Sequence, residues 1–208
     1  MKTFSACICM YNSTANVKRT LDKLHAQMMD GVEVIVLDDG STESTHEVAE
    51  ACRNYGFRYL WQANQGEAGA RQRVLDEACG EYISWIDADD SITDDYLPTI
   101  MQEINERDVD IIFHKWLFID GTVATDHEKP LTNWNVWSNV YRRKAVRSVK
   151  FDLNRQIASD YFWLADAYTH CETSYYSSKM VNIYNDKNPE SLTHRFERGE
   201  VTANFNEA

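Results

Sequence analysis

The sequence predicts an α/β fold, a doubly wound and mostly parallel central sheet flanked by helices, and three observations lead there. Four short apolar runs of strand type alternate with three amphipathic helical stretches between Thr3 and Ile86, the pattern of linked strand–helix–strand units. The run Val32-Glu33-Val34-Ile35-Val36-Leu37 is almost continuous in apolar residues, as a parallel strand covered on both faces must be. Each run gives way to polar residues, chiefly Asn, Asp or Gly, so polar chemistry gathers at one end of every strand.

The elements follow in order. Thr3 to Cys9 forms the first strand and stops at Met10-Tyr11-Asn12. Ser13 or Thr14 then caps a helix that carries Val17, Leu21, Leu24 and Met28 at helical spacing. Asp30-Gly31 turns the chain into the second strand, which ends in Asp38-Asp39-Gly40-Ser41-Thr42. A helix from about Ser44 to Tyr55 leads to the third strand, Phe57 to Trp61, and its end is Gln62-Ala63-Asn64-Gln65-Gly66. The helix from Glu67 to about Cys79 turns Ala70, Val74 and Ala78 inward, and the fourth strand follows it. Thr93 is the expected cap of a helix through Leu97, Ile100, Met101 and Ile104, and Asp110 to Ile119 reads as a further strand. Regular alternation ends there. Asp120 to Trp134 is polar with Gly121 and Pro130, a loop or hairpin; beyond it come a helix near Arg142 to Ser148, another over Asp160 to His170, and strands near Ser174 and over Met180 to Tyr184. No linker-like or repetitive segment interrupts the chain, so residues 1–208 are expected to form one domain.

Composition narrows the function. A chain of 208 residues, 43% hydrophobic, can bury a sizeable core. Its formal charge of -12 disfavours non-specific binding to nucleic acid or to anionic membranes. The one basic cluster, Arg142-Arg143-Lys144 with Arg147 and Lys150, reads as a solvated helix face. Five scattered cysteines, an odd number, suggest free thiols in a reducing, cytoplasmic setting. Cys7 and Cys9 share one face of a strand and lack a partner pair for zinc, so they are expected to be small core residues. No stretch has the length of a membrane span or the pattern of a leader, and no built-in membrane anchor is expected.

The chemistry centres on Glu81-Tyr82-Ile83-Ser84-Trp85-Ile86-Asp87-Ala88-Asp89-Asp90, a strand that runs directly into carboxylates. In open α/β sheets ligands bind beyond the carboxyl ends of the strands. Asn12, Asp38 with Asp39, Asn64 with Gly66, and Asp87 with Asp89 would all lie on that rim, and together they indicate a binding crevice. Bare carboxylates repel a nucleotide diphosphate, by roughly 4 kcal/mol per like-charge pair at about 4 Å and an effective dielectric near 20. A divalent cation, Mn2+ or Mg2+, reverses that sign and is commonly held by one or two carboxylates plus substrate phosphates. A calcium loop is excluded because Ile92 and Pro98 occupy its glycine and acid positions. Dinucleotide and P-loop fingerprints are excluded by Met10-Tyr11-Asn12-Ser13 after the first strand. An aspartyl-phosphate phosphohydrolase, with one Asp of the Asp-X-Asp as nucleophile, remains an alternative.

Three ordered segments carry a family resemblance: Val34-Ile35-Val36-Leu37-Asp38-Asp39-Gly40-Ser41-Thr42, Asn64-Gln65-Gly66-Glu67-Ala68-Gly69-Ala70-Arg71, and Tyr82 through Asp90. The chain resembles the family 2 glycosyltransferases, which have the GT-A fold. The likeness is strong over about Phe4 to Leu97 and continues more weakly through Trp137 to Arg143, Ala158 to Tyr161, and Ser191 to His194. It implies a nucleotide-sugar-binding half over about 1–97 and an acceptor-binding half over about 98–208. It further implies inverting transfer from a UDP-sugar to an acceptor hydroxyl, of a glycan, a lipid-linked sugar or another compound, with a divalent cation. A non-catalytic nucleotide-sugar-binding protein is the other alternative, and a homo-oligomer is compatible with either.

The resemblance also implies roles by position. Asp39 would bond the uracil, with Tyr11 and Asn12 lining the base pocket. Asn64 and Gly66 would belong to the donor site, Arg71 would face the diphosphate, and Asp87 with Ala88 would lie along the ribose or sugar. Asp89 would hold the metal, with His194 as a late metal or diphosphate contact. Asp160 matches the catalytic base, although Ser159 stands where an acid usually precedes it. Trp134, Trp137 and Tyr141 are the candidates for an acceptor-binding aromatic wall.

Overall fold

Residues 2–124, 135–155 and 158–200 are described by the computed structural model. In its first half, β1 (Phe4–Met10), β2 (Val32–Asp38), β3 (Arg58–Trp61) and β4 (Tyr82–Asp87) lie parallel in the order β3-β2-β1-β4. Helices α1 (Thr14–Ala26), α2 (His46–Tyr55) and α3 (Gly66–Glu77) connect them. Strand alternation sorts the side chains. Phe4, Ala6, Ile8 and Met10 join one apolar layer with α1 and α2, whereas Cys7 joins the opposite layer with α3. Cys9 packs on that same second layer, as its spacing from Cys7 predicts. All five cysteines are free thiols.

The sheet continues through the second half in the order β4-β7-β6-β8-β5. These strands are β5 (Ser91–Ile92), β6 (Ile111–Phe118), β7 (Asn139–Arg142) and β8 (Ser174–Tyr184). Helix α4 (Tyr96–Glu106) covers the first layer; α5 (Arg143–Val146) and α6 (Ser159–His170) contribute to the second. A short α7 (Leu192–Glu197) follows β8. No helix among the described residues is long and apolar enough to cross a membrane.

Several local expectations are corrected. Arg142 is strand, not helix: β7 inserts antiparallel between β4 and β6, and the helix is confined to Arg143–Val146. Pairing across a buried sheet overrides the local helical pattern. The two expected late strands are one continuous β8, with register shifts against β6 between Phe113 and Trp116. Thr93 does not cap α4; its amide bonds the Val181 carbonyl, and Asp95 takes the N-cap position. Met28 lies beyond the end of α1 and is exposed. Trp134 falls outside the described residues.

The edge of the sheet away from the acidic rim is pinned by one carboxylate. Glu33 accepts bonds from the Ser5 hydroxyl at 2.5 Å, the Cys79 amide at 2.6 Å and the Gly80 amide at 3.0 Å, with Arg58 on its other oxygen at 3.3 Å. Burial by itself would raise its pKa, but these bonds outweigh burial and hold it below the usual value. The stability it provides is therefore full above the ordinary glutamate value of about 4.3 and is lost as pH falls through the lower folded value. Glu33→Gln is expected to cost about 1–3 kcal/mol at neutral pH. In urea titrations the gap from the unsubstituted chain should close in acid; a gap independent of pH would refute this account.

Candidate active site

The loops after β1 and β2 are laced together by Asn12. Its side-chain oxygen accepts from the Thr42 amide at 2.8 Å and the Glu43 amide at 3.3 Å, and its own amide donates to Ser41 Oγ at 3.0 Å. Asn12 sits at φ 52° and Ala158 at φ 58°, the non-glycine residues with positive φ among those described. Both flank the rim, where such backbone strain concentrates. Asn12 thus shapes the first loop, and the neighbouring Tyr11 is 48% exposed.

The adjacent aspartates at the end of β2 divide their work. Asp38 is internal: its oxygens accept from the Ser41 amide at 2.8 Å and the Tyr59 hydroxyl at 2.8 Å. Asp39 Oδ1 accepts from Gln62 Nε2 at 2.7 Å and the Gln65 amide at 2.9 Å, and Asn64 donates to the Asp39 carbonyl at 2.9 Å. Gly40 makes this approach feasible. At φ 71° it takes a backbone geometry that favours glycine, and a Cβ there would stand 2.7 Å from the Asn64 nitrogen. Gly66, at φ 77°, opens α3.

Helix α3 delivers Arg71 beneath the fourth strand end. The residue is 1% exposed, and its Nη2 lies 2.7 Å from both Asp87 Oδ1 and Glu67 Oε1, while Nη1 has no partner among the described residues. Burial opposes a charged guanidinium, but Glu67, Asp87 and Asp160 around it hold its proton more tightly than usual. Asp160 lies in the first turn of α6 and accepts a bond from the Tyr161 amide at 2.9 Å. Its pKa is raised by burial, lowered in part by Arg71 and raised again by Asp87. The carboxyl of Glu67 is pushed up by burial and by the same acidic neighbours. The residues singled out in sequence on β4 and α6 thus share one electrostatic cluster, and Glu67 was not anticipated in it.

The three aspartates after β4 have three different environments. Asp87 is tied to Arg71. Ala88 between them packs against the apolar core. Asp89 Oδ2 accepts from Asn188 Nδ2 at 2.8 Å, and its pKa is raised by burial and by Asp87. Asp90 is buried, accepts from the Asn185 amide at 2.8 Å through Oδ1, and leaves Oδ2 without a partner among the described residues; burial and Asp87 push its pKa up. The turn after β8 approaches this acidic loop, and α7 follows it. His194 Nδ1 lies 2.7 Å from the Asn188 carbonyl oxygen and 3.1 Å from Ser191 Oγ. Asn185 and Asn188 carried no periodic or motif signal; only a run of turn formers before Pro189 marked the segment.

The acceptor wall is corrected. Tyr141 is 0% exposed and meets Trp85 and Trp163 edge-on at 5.7 and 5.2 Å. Trp137 is buried between Tyr184, stacked at 5.5 Å, and Trp116, edge-on at 5.2 Å. Rings so enclosed are core, with little surface left to stack on a sugar. Nor is the basic cluster one solvated face: Arg142 is buried against Tyr82 and Asp108. Arg143 and Arg147 border a cavity of about 320 Å³ that lies by Thr3, Gly80 and Glu81, at the start of β4 and away from the carboxylates.

The chain has counterparts among known proteins. A family model described as glycosyl transferase family 2 matches residues 5–168. The chain belongs to that family. This family 2 chain is 28% identical over 165 residues to the putative glycosyltransferase EpsH of Bacillus subtilis, a match covering 69% of the chain and 48% of EpsH. Its fold aligns with Staphylococcus aureus TarS solved with UDP-GlcNAc at a TM-score of 0.82 and 23% identity, over 92% of this chain and 60% of that one. It aligns with glucosyl-3-phosphoglycerate synthase of Mycobacterium tuberculosis, solved with Mn2+, UDP and glucosyl-3-phosphoglycerate, at a TM-score of 0.67 and 17% identity, over 92% and 75%. The family 2 chain therefore has the GT-A fold. It spans about half the length of EpsH.

Proposed function

We propose that this chain transfers a sugar, with inversion, from a UDP-sugar to an acceptor hydroxyl, with Asp160 as the base. The observation that carries the reading is the shared cluster of Asp160, Asp87 and Arg71, drawn from α6, β4 and α3 onto one rim. Asp160 accepts the hydroxyl proton while the oxygen attacks the anomeric carbon. The bond from that carbon to the diphosphate breaks, and the diphosphate leaves with the electron pair. A base whose pKa is raised toward the working pH takes a proton more effectively. The UDP complexes of the structural neighbours support uridine as the nucleotide. Asp39, Tyr11, Asn12, Asn64 and Gly66 then form the nucleotide side of the crevice, and Arg71, Asp87 and Ala88 the diphosphate and sugar side.

The residues present fit a divalent cation. Asp89 is an oxygen donor, and His194 has Nδ1 engaged by a carbonyl, which frees Nε2 as a ligand. No group of three or more His, Cys, Asp or Glu that could hold a metal occurs among the described residues. That suits an ion completed by substrate phosphates, and the Mn2+ complex of a neighbour supports it. When bound, the ion supplies positive charge that neutralises the leaving diphosphate. The five free thiols favour a reducing, cytoplasmic setting. A phosphohydrolase reading is disfavoured because Asp87, its nucleophile, is held by Arg71.

A thermal-shift series with UDP, GDP and their sugars, with and without Mn2+, tests the proposal. A ligand at about 100 times its Kd adds roughly 2.7 kcal/mol of apparent stability. UDP compounds with Mn2+ should give the largest shifts. Equal indifference to all of them would overturn the reading.

A further inference from the structure

We propose that Asn188 is the positioning residue of the cation site, aiming Asp89 with its side chain and His194 with its backbone. The inference rests on the reading above that these two residues hold a divalent ion. The side-chain amide has a fixed sense: Oδ1 accepts from the Glu190 amide at 3.1 Å, so Nδ2 is the end that donates to Asp89 Oδ2 at 2.8 Å. A carboxylate can only accept, and the assignment is consistent at both ends. The Asn188 carbonyl receives the Ser191 amide at 3.2 Å and His194 Nδ1 at 2.7 Å.

Because a carbonyl cannot donate, the neutral imidazole must carry its hydrogen on Nδ1. Nε2 is then the lone-pair nitrogen, the tautomer a metal ligand needs. The turn that presents Asn188 is itself held. Its amide donates to the Asn185 carbonyl at 3.3 Å, the Asn185 side chain donates to the Asp89 carbonyl at 3.3 Å, and Pro189 restricts the backbone before it. One residue therefore couples the loop after β4 to the turn and helix after β8, and nothing in the family match assigns it a part.

The two functions of Asn188 separate experimentally, because Asn188→Ala removes the side-chain bond and keeps the carbonyl. In metal-free protein, nitrogen-15 NMR of the neutral His194 ring should report the Nδ1–H tautomer in the unsubstituted chain and in Asn188→Ala alike. Mn2+ binding in the presence of UDP, followed by electron paramagnetic resonance, should weaken about 10- to 100-fold in Asn188→Ala, the range for lost outer-shell partners. In an Asp89→Ala background, Asn188→Ala should have no further effect on Mn2+ affinity, since its side chain acts through Asp89.

If Asp89→Ala itself leaves Mn2+ affinity unchanged, the cation reading falls and the proposal falls with it. If Asp89→Ala weakens binding but Asn188→Ala does not, or if metal-free His194 carries its hydrogen on Nε2, the proposal is overturned while the cation reading stands. The tautomer measurement on the unsubstituted chain holds even if Asn188→Ala fails to fold.

Discussion

Asp160→Asn should lower turnover by at least about 10^2, or roughly 2.7 kcal/mol of transition-state stabilisation, while UDP binds as before. The substitution keeps the size and the acceptor oxygen that receives the Tyr161 amide, so α6 should start as it does now. It removes the atom able to take a proton, and with it one of the three carboxylates around Arg71, which keeps Asp87 and Glu67. The effect should therefore fall on kcat rather than on donor affinity, measured as UDP release under saturating donor and as UDP binding by calorimetry. In the unsubstituted chain, activity should decline as pH falls through the raised Asp160 pKa, because the base is then already protonated. Turnover within a few-fold of the unsubstituted chain would remove Asp160 from the chemistry, and the cluster around Arg71 would have to be read as structural.

Asp89→Ala should abolish the tightening of UDP binding by Mn2+, whereas Asp90→Asn should leave it largely intact. These carboxyls are neighbours in sequence but not in state. Asp89 lies against the Asn188 amide at the rim, while Asp90 is buried, and burial and Asp87 push its pKa upward, toward the neutral acid. An amide at position 90 still accepts the Asn185 bond and resembles the protonated carboxyl that burial favours. Calorimetric titration of UDP with and without Mn2+ distinguishes the two. Unchanged tightening in Asp89→Ala, or its loss in Asp90→Asn, would reassign the cation ligand within the triplet.

The burial of Asp90 also bears on how three acids tolerate one loop. Full ionisation of all three would set like charges side by side at a partly dry rim, at several kcal/mol by Coulomb's law. One is pushed toward its neutral form by burial, one is bonded to Arg71, and one accepts the Asn188 amide.

The succession of β1 to β4 along the chain and the polar residues at their ends were legible in the sequence because they follow from local rules. A buried parallel strand must be apolar on both faces, and its end must turn at Asn, Asp or Gly. Those rules also located Asp39, Asn64, Asp87 and Asp89 on one rim. The second half was less legible: β5 spans two residues, too few to show a period, and β7 contains Arg142 and abuts a helix whose pattern it resembles. Trp137 and Tyr141 show the same limit. Aromatic spacing is identical for a sugar-stacking wall and for a core, and only burial separates them.

What the sequence by itself determined is which chemical groups stand at the ends of the first four strands: the carboxylates of Asp38, Asp39, Asp87 and Asp89 and the amides of Asn12 and Asn64. What only the tertiary structure decided is the state of each. Among Asp87, Asp89 and Asp90 it was distance to Arg71, to Asn188 and to solvent that made one an ion-pair partner, one a candidate ligand and one a buried acid whose pKa is raised. The physical reason is that protonation and ligand geometry depend on groups brought from α3, β8 and α7, whose approach no local pattern encodes.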